Sequence, residues 1–288
     1  MLLEQLISGL ATGCVYALVA LGFVLIYKTT EVLNFAQGEL LMIGAFMGFT
    51  FISLFKLPLL LSLVCTLAFM AFFGIIIERI FLRPLIGQPP FALLMTTVGL
   101  ATIIRTLAGM IWTHDAVRFP DIFSEEPVSL LGSAVAPIHI GVIIASLLLV
   151  IILGLFFKFV NLGIALRACG LNQLATVYMG ISIKRTFTIA WALSAMVSTV
   201  AGILLAPIAF LSTNLGLIMF KAFPAAMIGG FTSIPGAIIG GIIIGIAENM
   251  AGIFLPGGFK TAFAPALLIL VLLIRPAGIL GKPEHKRV

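Results

Sequence analysis

The sequence predicts an all-α integral membrane protein, a polytopic bundle of about eight or nine membrane helices with broken or re-entrant segments. Three observations carry this. Hydrophobic residues make up 62% of the 288 and charged residues only 9%; an ordinary soluble domain has about 25% charged residues, so this chain cannot cover a globule with wettable surface. The apolar residues fall into charge-free runs near the length of about 20 residues that a helix needs to cross a hydrocarbon core of about 30 Å. Those runs lack the two-residue alternation of a barrel strand, and an open sheet edge would leave backbone groups unpaired in lipid. The composition also excludes a disordered chain, a disulfide scaffold and a nucleic-acid partner.

In chain order, the runs are Gln5 to Tyr27, Leu40 to Phe55, Leu57 to Ile77, Pro84 to Ile104, Pro127 to Phe157, Thr186 to Phe220, Ala222 to Ala247 and Thr261 to Ile274. The second and last, at 16 and 14 residues, read as tilted, re-entrant or completed by their flanks. The first basic residue, Lys28, follows the first run instead of preceding it, which argues for a membrane span and against a cleavable signal. Gly9/Gly13, Gly44/Gly48, Gly236/Gly240 and Gly241/Gly245 are each spaced by four, which sets small residues on one helix face where a second backbone can approach closely. Cys14, Cys65 and Cys169 form no CxxC pair and read as small core residues.

Basic residues orient the bundle. Placing Lys28, Arg79 and Arg83, the stretch Lys158 to Arg185, and Arg275 onward on the cytoplasmic side gathers 11 of the 16 basic residues there. The opposite side keeps Lys56, Arg118 and Lys260, and its longest loop, Thr113 to Ala136, carries Asp115, Asp121, Glu125 and Glu126. This asymmetry predicts an outside N-terminus and a cytoplasmic C-terminus.

Three places break the apolar pattern, and polar or Gly/Pro interruptions at membrane depth line a cavity, a partner contact or a helix interface. The first is Asn34-Phe35-Ala36-Gln37-Gly38-Glu39. Asn34 is placed to cap the helix that follows, and Glu39 suits the positive end of its dipole. The segment reads as a capped surface turn, or as a pathway or gate element formed by Asn34, Phe35, Gln37, Gly38 and Glu39. The second runs from Phe223 to Gly241. Gly229-Gly230 and Pro235-Gly236 disfavour one continuous helix, since Gly costs about 1 and Pro about 3 kcal/mol in a helix interior. Two half-helices meeting at Phe231 to Ile234 are expected, with Pro235 opening the second. Gly229, Gly230, Ser233, Pro235 and Gly236 are the pathway or gate candidates there, beside the reading of a purely structural hairpin. The third is Asn161 to Arg185, predicted to hold a short helix from about Leu171 that ends at Gly180. It suits a membrane-surface element or a knob for a soluble partner.

Catalytic chemistry finds little support. The chain has no GxxxxGK[ST] phosphate loop, and His114, His139 and His285 lack metal-ligand spacing, so neither a nucleotide site of that type nor a metal site is expected. Glu248 stands out as the intramembrane carboxylate, with Arg105 and Lys221 as cations. So few titratable groups point to an energy source on another subunit. An autonomous channel or secondary carrier for a small neutral solute is the competing class.

Taken together, the opening Gly9 to Gly22, the Asn34 to Glu39 segment, the Arg167 to Gly180 loop and the Gly229 to Gly241 stretch resemble, in that order along the chain, the H-type permeases of branched-chain amino acid ABC importers. The resemblance implies one transmembrane permease domain over 1–288, in a bacterial or archaeal plasma membrane, with a cytoplasmic coupling loop at about 161–185. It implies a second related permease, two cytoplasmic ATPases that hold ATP and magnesium in place of any cofactor in this chain, and a periplasmic or lipid-anchored solute-binding protein. It assigns ATPase docking to Arg167, Ala168, Asn172, Ala175 and Gly180. The loop departs from the family pattern at Asn172, where an acidic residue is frequent, and at Thr176, where Ala is. The implied cargo is a branched-chain or related hydrophobic amino acid, with urea or short amides as the alternative.

Overall fold

The computed structural model describes residues 2–112, 114–120, 126, 128–130, 133–254, 259–275 and 277–281. Asp121 and Glu125 of the acidic loop, and His285, Lys282, Lys286 and Arg287 of the basic C-terminus, lie outside the described residues. Among the described residues eleven α-helices follow one another: α1 (Leu2–Thr30), α2 (Gln37–Phe49), α3 (Leu59–Ile77), α4 (Pro90–Trp112), α5 (Pro137–Phe159), α6 (Asn161–Cys169), α7 (Gln173–Tyr178), α8 (Ile183–Ala209), α9 (Met219–Gly229), α10 (Ile234–Phe254) and α11 (Phe259–Ile274). A small antiparallel hairpin, β1 (Val128–Leu130) and β2 (Ser133–Val135), precedes α5.

Among the described residues, seven helical segments are long and apolar enough to cross a membrane, and Thr213–Gly229 and Ala262–Ile274 are shorter apolar helices. This agrees with the expected eight or nine membrane segments. The run boundaries shift where local geometry intervenes. The long run Thr186 to Phe220 is not one helix: α8 stops at Ala209, Phe210 takes a φ of 59°, and a 3-10 segment covers Thr213–Ile218. Conversely, α3 does not stop at the first charge. It continues through a π-helical turn, Glu78–Leu82, and a 3-10 turn, Arg83–Leu85.

The chain forms two compact units. One holds Met1–Val24, Asp121–Leu147 and Ile218–Val288. Within it α1 meets α10 at glycines: a Cβ on Gly13 would lie 2.9 Å from Ile242 Cα, and one on Gly9 would lie 3.1 Å from Asn249 Cβ. The four-residue glycine spacing therefore serves backbone approach here, the usual basis of helix association where lipid removes the hydrophobic drive. The rings of Phe23 and Phe223 cross edge to face at 5.8 Å beside this contact.

The second unit holds Leu25–Pro120 and Leu148–Leu217. Its centre is α8, against which α2 and α3 both pack. A Cβ on Gly44 would lie 2.7 Å from Thr199 Cα, and one on Gly74 would lie 2.8 Å from the Trp191 carbonyl oxygen. Trp191 and Phe46 are each 1% exposed, and Phe46 stacks on Trp112 of α4 at 5.2 Å.

Candidate functional site

The Asn34 to Glu39 segment is buried in the second unit: Asn34, Gln37 and Glu39 expose 1%, 0% and 1% of their surface, and Gly38 is buried with them. Burial at membrane depth requires partners for each polar atom. Gln37 is the hub. Its Nε2 donates to Ser194 Oγ at 3.0 Å and to Ser198 Oγ at 2.5 Å, both on α8. Its Oε1 accepts from Asn34 Nδ2 at 3.0 Å and from Ser194 Oγ at 3.1 Å. The Phe35 backbone N–H donates to Thr97 Oγ1 of α4 at 3.2 Å. The expectation that Asn34 caps α2 is corrected: Ala36 holds the cap position without a side-chain bond, and Asn34 Oδ1 accepts from Ala36 N at 3.0 Å. The short amide turns back on its own loop two residues on, an Asx turn placed just before the helix.

Glu39 does stand in the first turn of α2. Arg105 of α4 neutralises it, donating from Nε to Glu39 Oε1 at 3.1 Å and from Nη2 to the same oxygen. The carboxylate is sealed while the arginine side chain stays 37% exposed, so one flank of the guanidinium remains open to its surroundings.

Two further carboxylates are treated alike. In the first unit Glu248 of α10 accepts from Lys221 Nζ at 2.5 Å and from Tyr16 OH of α1 at 2.8 Å. In the second, Glu78 accepts from Arg83 Nε and Nη2 at 3.0 and 2.8 Å and from Thr188 Oγ1 of α8 at 2.9 Å. Glu248, singled out from the sequence, is thus one of three carboxylates neutralised in this way. Glu39 and Glu78 also lie within membrane-length helices, because each is neutralised by a cation and the helix need not end at it.

The second break falls where expected, but only α9, at 11 residues, is a short helix; α10 has 21 residues and is long enough to cross a membrane. Helix α9 ends at Gly229, Gly230 takes a φ of 101°, and α10 begins at Ile234. Ser233 Oγ accepts from Gly236 N at 3.1 Å, and Pro235 stands in the first turn, where its missing N–H costs nothing. Gly229 and Gly236 face each other with backbone against backbone. The carbonyls at the end of α9 are not left open: Ile228 O accepts from Ile279 N at 2.7 Å and Gly229 O from Leu280 N at 3.1 Å.

The third break contains two helices, α6 and α7, where the sequence suggested one. Asn172 caps α7, its Oδ1 accepting from Ala175 N at 3.0 Å, and Gly180, with a φ of 78°, follows its end. The loop is tied to the end of α1: Gln173 Nε2 and Cys169 Sγ both donate to the Thr29 carbonyl, at 3.3 and 3.8 Å. Thr176 is buried, whereas Leu174, Tyr178 and Met179 are 72%, 87% and 80% exposed. Arg167, Asn172, Ala175 and Gly180 are exposed as well, and Ala168 is half-buried. Helix α6 was missed because its signal, Gly163, Leu166 and Cys169 buried at three-residue intervals, spans little more than two turns.

The profile of the family described as branched-chain amino acid transport system / permease component matches residues 5–273. The high-affinity branched-chain amino acid transport system permease protein LivH of Escherichia coli K12 is 30% identical over 300 residues, covering 99% of this chain and 97% of its own. The permease protein BraD of the corresponding high-affinity system of Pseudomonas aeruginosa is 32% identical, covering 99% and 98%. A probable branched-chain amino acid transport permease protein LivH of Methanocaldococcus jannaschii is 33% identical over 280 residues, covering 92% and 88%. Among solved structures, PsaBC from Streptococcus pneumoniae in complex with Fab superposes with a TM-score of 0.52 at 13% identity, over 94% of this chain and 91% of that one. That likeness is one of fold. The chain belongs to the permease-component family of branched-chain amino acid transport systems.

Proposed function

We propose that this chain is a membrane-spanning subunit of an ABC importer for branched-chain or related hydrophobic amino acids, powered by ATP hydrolysis on separate subunits. The observation that carries the reading is α7: a six-residue helix, capped at one end, closed by a positive-φ glycine at the other, and turning exposed Leu174, Tyr178 and Met179 away from its own unit. Exposed large apolar side chains on a short polar-flanked helix mark a protein contact. ATP-driven closure of two ATPases would push on α7, and the bonds of Gln173 and Cys169 to Thr29 would carry the displacement into α1.

In this reading the segments around Asn34 to Glu39 and Gly229 to Gly236 act as gate elements by their joints, the glycine contacts and the buried amide network, while the exposed flank of Arg105 is the part of the first that a passing solute can meet. Thr30 and Glu31 at the end of α1, Arg83 and Gln173 of α7 line one cavity, which supports placing these basic-flanked segments on one side, read as cytoplasmic with the N-terminus outside. A second permease, two ATPases and a solute-binding protein complete the assembly.

The test is leucine uptake into proteoliposomes holding the whole assembly. Uptake that requires ATP, the binding protein and an intact phosphate loop on the ATPase is expected. Leucine flux that persists with an inactive ATPase would replace the importer by a channel or carrier.

A further inference from the structure

A cavity of about 200 Å³ opens in the second unit where the end of α1, the α3–α4 turn, α7 and α8 come together. None of the candidate pathway residues lines it. At about 30 Å³ per water molecule it holds about seven waters' worth of space, the size of one small solute and too little for a nucleotide or a lipid.

The lining is divided by chemistry. Leu82, Phe187 and Trp191 supply buried apolar lining, at 4%, 6% and 1% exposure, and Ile86 and Leu93 add to it. Glu31, Glu78, Arg83, Gln88 and Gln173 supply the polar part of the lining. The Glu78 charge is already spent on Arg83 and Thr188. Glu31 differs: among the described residues its carboxylate has no hydrogen bond or ion pair. Arg83 uses Nε and Nη2 on Glu78 and Thr188, which leaves Nη1 to donate, and among the described residues the Gln88 side-chain amide has no partner either. The cavity thus offers a free carboxylate, free N–H donors and a hydrocarbon wall within the span of one small molecule.

We propose that this cavity binds an apolar α-amino acid as its zwitterion, with the ammonium on Glu31, the carboxylate on Arg83 and Gln88, and the side chain on Leu82, Phe187 and Trp191. Charge-assisted bonds at both ends select the zwitterion over a plain amine or acid. Gln173 gives the site a consequence, because it lines the cavity, opens α7 and bonds to Thr29. A ligand held between α1, the α3–α4 turn and Gln173 stabilises the arrangement it binds and slows departure from it. Amino acid accumulating on the α7 side therefore slows the ATP-driven cycle. This regulatory role rests on the importer reading above; the binding chemistry does not.

The experiment uses the purified permease–ATPase assembly in nanodiscs without binding protein, and photo-leucine, a diazirine analogue, as probe. Adducts are expected on peptides spanning Leu82 to Leu93 or Phe187 to Trp191. Excess leucine should remove them, whereas 3-methylbutylamine and 4-methylpentanoate should not. Glu31→Gln, at an exposed rim position, is expected to weaken protection about tenfold, the loss of one charged hydrogen bond, and Gln88→Ala less. ATP hydrolysis should fall as leucine rises in wild type and respond less in Glu31→Gln. Adducts confined to other segments, or equal protection by the amine, would overturn the site. Normal binding-protein-dependent leucine uptake with no adduct in the cavity refutes the site and leaves the importer standing. Cavity adducts sensitive to Glu31→Gln in an assembly that imports no leucine keep the binding site and refute the importer, and with it the regulatory role.

Discussion

The guanidinium of Arg105, in the second half of α4, lies against the carboxylate of Glu39 in the first turn of α2, and joins two helices whose charges are 66 residues apart in sequence. Removing one partner of such a pair strands a buried charge, whereas removing both leaves no charge to strand. Arg105→Leu is expected to destabilise the protein by about 2–3 kcal/mol, at or below the low end for buried pairs because the arginine is partly exposed. Adding Glu39→Leu should recover part of that loss, because no charge is then stranded. Thermal unfolding of the detergent-solubilised chain measures both, and equal stability of the two variants would show that the pair carries no coupling.

Gly180 supplies a second prediction. Its φ of 78° is costly for most side chains, roughly 1–2 kcal/mol, but tolerated by asparagine. A Cβ there would meet no atom within 4 Å, so the effect of a substitution is conformational and not steric. Gly180→Val is expected to insert and express normally yet uncouple hydrolysis from uptake, while Gly180→Asn retains coupling. Loss of both functions to the same degree in the two variants would point to bulk instead.

The α1–α10 seam is the third. A Leu at Gly13 must push apart two backbones, because its Cβ alone would lie 2.9 Å from Ile242 Cα. Gly13→Leu should lower the yield of folded protein severely, whereas Leu at Gly99 or Gly154, where a Cβ meets nothing within 4 Å, should be silent in a size-exclusion assay.

Cys169 is the fourth. Burial first, and the nearby Glu31 charge second, push its thiol above the ordinary value of 9.0, so the reactive thiolate is scarce near neutral pH. With Cys14 and Cys65 replaced by alanine, maleimide labelling of the native chain should be slower at pH 7 than that of an ordinary exposed thiol, rise with pH, and become fast on denaturation. Rapid labelling at pH 7 would mean that the α6–α1 contact opens readily.

Local features were legible in the sequence. Apolar runs longer than a bilayer is thick announce helices, Gly230 announces the α9–α10 break, and Gly180 announces the end of α7, because each is a property of a few adjacent residues. The partner sets were not legible. Gln37 with Ser194 and Ser198, Glu39 with Arg105, and Glu248 with Tyr16 and Lys221 join residues far apart in the chain, and no spacing encodes them. The apolar run Leu57 to Ile77 ends at Glu78, yet the helical course continues through it, since a charge reads as a boundary until its neutralising partner is known. Phe210, which ends α8 with a positive φ, carries no glycine to give it away.

The most direct test of the central claim is to replace Leu174 and Tyr178 on α7 with aspartate and follow leucine uptake and ATPase retention in the same proteoliposomes. Both side chains are exposed, so the variant should fold and insert as the parent does. It is predicted to lose its ATPases on purification and to abolish ATP-driven uptake. Wild-type uptake with ATPases still bound would contradict the assignment of α7 as the element through which this permease receives its energy.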